Sequence, residues 1–135
     1  MDKSDLESRT KLFAINVVRF VGGLPKNKIS DVLGYQLLKA GTSIGANYRE
    51  ANRAESRKDF IHKIGIVSKE AAETQYWLEL LNESFPVTCS ENSKPNFLNS
   101  KSRALLNKLL AESTELVAIF TSIGKTCKKK RNTEI

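Results

Sequence analysis

Apolar residues recur along most of this chain at steps of three and four, the spacing of a helix with one buried face. From about Ser4 to Val21, the residues Leu6, Phe13, Val17, Phe20 and Val21 trace a first amphipathic helix, with Ser4 or Asp5 placed to cap it. Gly22, Gly23 and Pro25 end it, and the short linker GGLPKNK implies an antiparallel neighbour. The stretch from Ile29 to Phe60 reads as a second long helix that frays or turns between Asn52 and Arg57. Its apolar face is Leu33, Leu37, Ala40, Ile44, Asn47 or Tyr48, and Ala51; Ser30 is its candidate cap, with Ile29 as a staple against Leu33 or Gly34. Ser56, with Asp59 three residues on, marks the start of a third helix. There Phe60, Ile64, Val67, Ala71, Thr74, Leu78, Leu81 and Phe85 form a stripe that Pro86 stops, beside a second row of Ile66, Glu73, Trp77 and Leu80. The polar segment VTCSENSKPN has no period and reads as the one substantial loop. Phe97 or Leu98 opens a fourth helix with Leu105, Leu109, Leu116, Ile119 or Phe120, and Ile123 on one face, and Gly124 closes it where positive φ is useful. The pattern predicts an all-α fold, an antiparallel up-down-up-down four-helix bundle over residues 1–124.

The second helix is lean. Gly34, Gly41 and Gly45 each cost about 1 kcal/mol of helix propensity relative to alanine, which close approach of a neighbouring helix would offset. A row of Gln36, Ala40, Ser43, Asn47 and Glu50 shares one side of this helix, and Glu70 and Glu73 stand on the facing one. If buried, these polar groups need partners, since an unpaired one costs roughly 1–3 kcal/mol. The set reads either as an interhelical hydrogen-bond network that fixes register or as a ligand site. A dimetal site lacks its signature, because no Glu-x-x-His pair occurs.

A chain of 135 residues makes one domain, and no apolar run approaches the ~18 residues of a membrane span. The charged start MDKSDLESRTK lacks the apolar core of a secretory signal, so a cytoplasmic location is expected. Cys89 and Cys127 are too isolated for a disulfide framework or zinc site and read as reduced thiols. With a single histidine, His62, and no nucleophile elbow or phosphate loop, neither enzymatic activity nor a cofactor is expected.

Net charge is +7, of which +4 falls in residues 124–135. Residues 125–135, with Lys128, Lys129, Lys130 and Arg131, hold too little apolar content to fold alone and read as a disordered basic tail, either solubilising or gripping nucleic acid. Arg49, Arg53 and Arg57 step by four and would stack three guanidinium groups along one edge continued by Lys58. That edge reads as a solvated face or as a phosphate contact, for which arginine forks are shaped. No exposed aromatic row offers base stacking, so any contact with RNA or DNA runs through the backbone.

The blocks GYQLLKAGTSIGANYREA at 34–51, SRKDFIHKIGI at 56–66 and SKEAAETQYWLELL at 68–81 resemble the four-helix-bundle proteins encoded within intervening sequences of bacterial 23S ribosomal RNA genes. The accessory variability protein of diversity-generating retroelements is in the same family. The resemblance covers roughly residues 10–123. It implies a small helical subunit, a homopentameric ring with basic surface suited to nucleic acid, no enzymatic activity and, in the retroelement branch, binding to a reverse transcriptase. Tyr76, Trp77 and Leu80 lie off the main stripe and read either as core packing against the first helix or as a subunit interface, where large aromatics are enriched; the resemblance implies the interface for part of this surface. Tyr48-Arg49 departs from the small apolar pair that many members carry before the glutamate.

Overall fold

Short polar side chains set where the helices begin. Asp2 accepts from the Asp5 N–H while Asp5 accepts from the Asp2 N–H, a reciprocal capping box that opens α1 (Lys3–Gly22). Asn27 caps α2 (Lys28–Asn52) by accepting from the Ser30 N–H at 2.8 Å, so the cap lies three residues before the serine expected to supply it. Ser56 caps α3 (Arg57–Ser84) as expected, its Oγ accepting from the Asp59 N–H at 3.0 Å. Asn99 does the same for α4 (Ser100–Thr133) through the Ser102 N–H at 2.8 Å. The computed structural model describes residues 1–85 and 98–133, with side chains through Lys130, and none of those residues is in a strand. The expected loop and Phe97 lie outside the described residues.

Each helix packs on its neighbours in sequence, and α4 returns to α1, so the bundle is square with α1 diagonal to α3. The expected all-α four-helix bundle is the observed architecture. Phe13, Phe20, Leu37, Ile44, Ile64 and Phe120 are wholly enclosed at its centre, and the Tyr48 ring meets Phe120 edge-on with centroids 5.3 Å apart. In α4 the buried row is Ser102, Leu106, Leu109, Ser113, Leu116 and Phe120, so Leu106 takes the place expected for Leu105.

The glycines of α2 let α1 come close. A Cβ built on Gly41 would stand 2.9 Å from Val17 Cγ2, and one on Gly45 would stand 3.1 Å from Thr10 Oγ1. Gly34 is similarly tight against Leu24 and Val21.

The expected stop at Gly124 is not a stop. α4 runs on to Thr133, no described glycine has positive φ, and the segment expected to be a disordered tail is helical through residue 133. The reason is cooperative: a charge block appended to a formed helix needs no nucleation, lysine and arginine favour helix, and cations suit the negative end of the macrodipole.

Candidate nucleic-acid interface

Arg49 and Arg53 end α2, while Arg57 and Lys58 begin α3. The turn between Arg53 and Arg57 interrupts the four-residue step, so the three arginines do not stack along one helical edge as their spacing suggested. They nevertheless stay at one end of the bundle. All four side chains are exposed, with Arg49 Nε 3.6 Å from Glu7 Oε1 of α1.

The fourth helix comes to the same end. It runs antiparallel to α3: Gln75 Nε2 donates to Thr114 Oγ1 at 2.9 Å, and Gly124 lies opposite Ile64. Advancing along α4 therefore descends α3, and carries the exposed side chains of Lys125, Lys128, Lys129 and Lys130 toward Arg57 and Lys58. Arg131 continues the same helix. Two basic clusters more than sixty residues apart in the chain thus share one end of the molecule.

Among the carboxylates nearby, Glu50 and Glu55 are exposed beside the arginines, and the others have partners. Asp2 and Asp5 form the capping box, Glu7 accepts from Asn52 at 2.9 Å, and Asp59 lies 3.7 Å from Lys63. Tyr48 is buried and Phe60 half-buried against the core, so among the described residues this end offers no fully exposed aromatic face for stacking, and Tyr35 and Tyr76, the exposed tyrosines, lie away from it.

The row expected to form a buried polar network does not form one among the described residues. Ser43 Oγ donates to Lys39 O at 2.6 Å and Asn47 Nδ2 to Ser43 O at 2.9 Å, both inside their own helix, the usual resting place for such groups. Glu50 is exposed and Gln36 half-buried. Glu73 accepts from Trp77 Nε1 at 3.2 Å. The Glu70 carboxyl is pushed above its ordinary value by burial and then by the charge of Glu73, with Lys39 acting against them. These residues line the outside of the α2/α3 seam because the glycines turn the opposite side of α2 toward α1. Tyr76 is exposed, with Trp77 and Leu80 half-buried beside it.

The spacing pattern missed a second polar cluster. Arg9 grips Glu112 with two hydrogen bonds of 2.7 Å and reaches Glu115 at 2.9 Å, joining α1 to α4. The hydrogen bond from Arg9 holds the Glu112 carboxyl below its ordinary value. Among the described residues no three His, Cys, Asp or Glu side chains converge as a metal site, and no helix is long and apolar enough to cross a membrane. His62 is exposed and Cys127 is a free, half-buried thiol; Cys89 lies outside the described residues.

The fold and its charge define an all-α four-helix bundle with one cationic end. The chain belongs to the 23S rRNA-intervening sequence protein family, whose model matches residues 3–121. It is similar to a solved structure from Bacteroides thetaiotaomicron VPI-5482, a protein of unknown function from the S23 ribosomal protein family. The two are 36% identical, the match covers 93% of this chain and 99% of that one, and the TM-score is 0.73. No curated protein matches.

Proposed function

We propose that this protein is a non-enzymatic subunit that self-assembles into a ring and holds RNA or DNA through phosphate contacts at its cationic end. The observation that carries the reading is the convergence of Arg49, Arg53, Arg57 and Lys58 with the lysines of the α4 extension. Guanidinium groups grip phosphate oxygens bidentately, lysines add point charge, and the lack of stacking surface there leaves the bases unread. Self-association draws support from the exposed Tyr76 and its half-buried neighbours Trp77 and Leu80.

The test is fluorescence anisotropy of a labelled RNA hairpin and a DNA duplex across a salt series. Replacing Arg49, Arg53 and Arg57 by alanine should weaken binding by the same factor for unrelated sequences. On the duplex it should also flatten the log–log salt dependence by about 0.9 for each phosphate that is no longer neutralised. Unchanged affinity in the triple variant overturns the role of this end. Absence of binding even at low salt overturns the nucleic-acid reading and makes a protein partner, such as a reverse transcriptase, the better one.

A further inference from the structure

α1 and α2 leave a cleft between them beside the cationic end, bordered by Glu7, Lys11 and Ala14 of α1 and by Gly45, Ala46 and Arg49 of α2. It holds about 200 Å³, several times the roughly 30 Å³ that one water occupies, so a phosphate group fits. Ala14, Gly45 and Ala46 keep it open by carrying little or no side chain. Its banks are charged.

The two helices run antiparallel here: Gly41 lies against Val17 and Gly45 against Thr10, which brings Glu7 level with Arg49. A side chain leaves its helix tilted toward that helix's N-terminus. Lys11 on α1 therefore leans toward the level of Arg49, while Arg49 on α2 leans back toward the level of Lys11. Ammonium and guanidinium thus approach the same cleft from opposite banks, and both residues are exposed. Arg49 is held loosely, with its Nε 3.6 Å from Glu7 Oε1, beyond hydrogen-bond range. The other Glu7 oxygen is fixed, accepting from Asn52 Nδ2 at 2.9 Å. Lys11 has no ion-pair partner among the described residues.

We infer that this cleft seats one phosphate of the nucleic-acid backbone between Lys11 and Arg49, a step that rests on the nucleic-acid reading above. Lys11 belongs to neither basic cluster, and its use carries the phosphate path from the end of the bundle up onto α1. Phosphate is the ligand class that suits the pair, because its oxygens accept from the guanidinium fork and from the ammonium at the same time. Glu7 sets the threshold for entry. Its carboxylate is the counter-ion that Arg49 leaves when phosphate arrives, and Asn52 keeps it in place to repel the newcomer. A free phosphate gains little over Glu7, whereas a phosphate tethered to others gripped by Arg53 and Arg57 arrives at high effective concentration. The cleft therefore takes a link of a chain in preference to a lone anion.

Salt titrations of the labelled DNA duplex, read by fluorescence anisotropy on the full chain, test the seat. Circular dichroism checks that each variant folds. Lys11→Met and Arg49→Ala should each flatten the log–log dependence by about 0.9, and the double variant by the same about 0.9 in total, because a shared phosphate is lost only once. A double variant flattened by about 1.8 means two separate phosphates and overturns the shared seat. Lys101→Met removes the same charge from the exposed start of α4 at the opposite end and should change nothing. A loss there equal to that of Lys11→Met assigns the effect to overall charge and overturns the site. Glu7→Gln should tighten binding about two- to fivefold, and only while Arg49 is present; an equal gain in the Arg49→Ala background overturns the role given to Glu7. Exchanging chloride for inorganic phosphate at equal ionic strength should preserve the difference between wild type and Lys11→Met. If that difference vanishes, the seat takes free phosphate and the polymer assignment falls. Wild-type binding that ignores Lys11 overturns this seat alone, whereas no binding at low salt overturns the nucleic-acid reading beneath it.

Discussion

Replacing Gly41 by alanine sets two effects of similar size against each other. Alanine favours an interior helical position over glycine by about 1 kcal/mol, so on α2 alone the substitution stabilises. The packing opposes it. The new Cβ would meet Val17 at 2.9 Å from Cγ2, 3.1 Å from Cγ1 and 3.4 Å from Cβ, where ordinary contact begins at about 3.4 Å. Val17 is fully buried and β-branched, so it cannot swing aside to another rotamer and the helices must separate. Overpacking of this kind costs typically 1–3 kcal/mol, leaving a net destabilisation of about 1 kcal/mol and a transition lowered by about 3–5 °C. Gly65→Ala is the matched control. Nothing lies within 4 Å of its Cβ position on the exposed side of α3, so propensity acts unopposed and should stabilise by about 0.5–1 kcal/mol. Both are measured by denaturant unfolding at one protein concentration, because self-association would make stability depend on it. Adding Val17→Ala to Gly41→Ala should destabilise by less than the sum of the two single changes. If Gly41→Ala stabilises as much as Gly65→Ala, the close α1–α2 approach is refuted.

Truncation after Gly124 should remove roughly nine residues of helical signal in far-ultraviolet circular dichroism while leaving the thermal transition nearly in place, since the described lysines beyond it are exposed; an undiminished signal counts against the α4 extension. The same truncation should weaken nucleic-acid binding and its salt dependence. Glu112 titrates below its unfolded value because Arg9 bonds its ionised form, so its contribution to stability is present above the unfolded pKa and is lost as pH falls through the folded one. Acid denaturation followed by fluorescence should therefore show a shallower loss in Arg9→Met, and an identical profile removes the pair from the account. Glu70 has the opposite sign: its raised pKa means that the ionised form opposes folding, so Glu70→Gln should stabilise at neutral pH and lose that advantage in acid.

Helix identities were legible because the apolar rows of Phe13, Val17 and Phe20, or Ile64, Ala71 and Leu78, admit only one period. The start of α3 was legible as well, since Ser56 and Asp59 stand just before such a row. The start of α2 was not: Asn27 lies three residues ahead of Ser30, outside the apolar run that directed attention to the serine. Spacing placed Gln36, Ser43, Asn47 and Glu50 together but said nothing about which neighbour they face, and the glycines gave that choice to α1. The arginine step failed for a related reason, because a four-residue count holds only while the helix is unbroken. Composition gave the lysine block too little apolar content to fold alone, but the block is continuous with a helix anchored by Leu109, Leu116 and Phe120.

The continuation of α4 past Gly124 changes what its lysines would contribute. A flexible cationic arm loses roughly 1–2 kcal/mol of backbone freedom for every residue it immobilises on a ligand. Here that loss is incurred when the chain folds, so in the proposed function phosphate would meet a rod whose charges are already spaced at about 1.5 Å of axial rise per residue. In the proposed function such a rod would favour shapes of matching pitch, a selectivity of form that needs no base to be read.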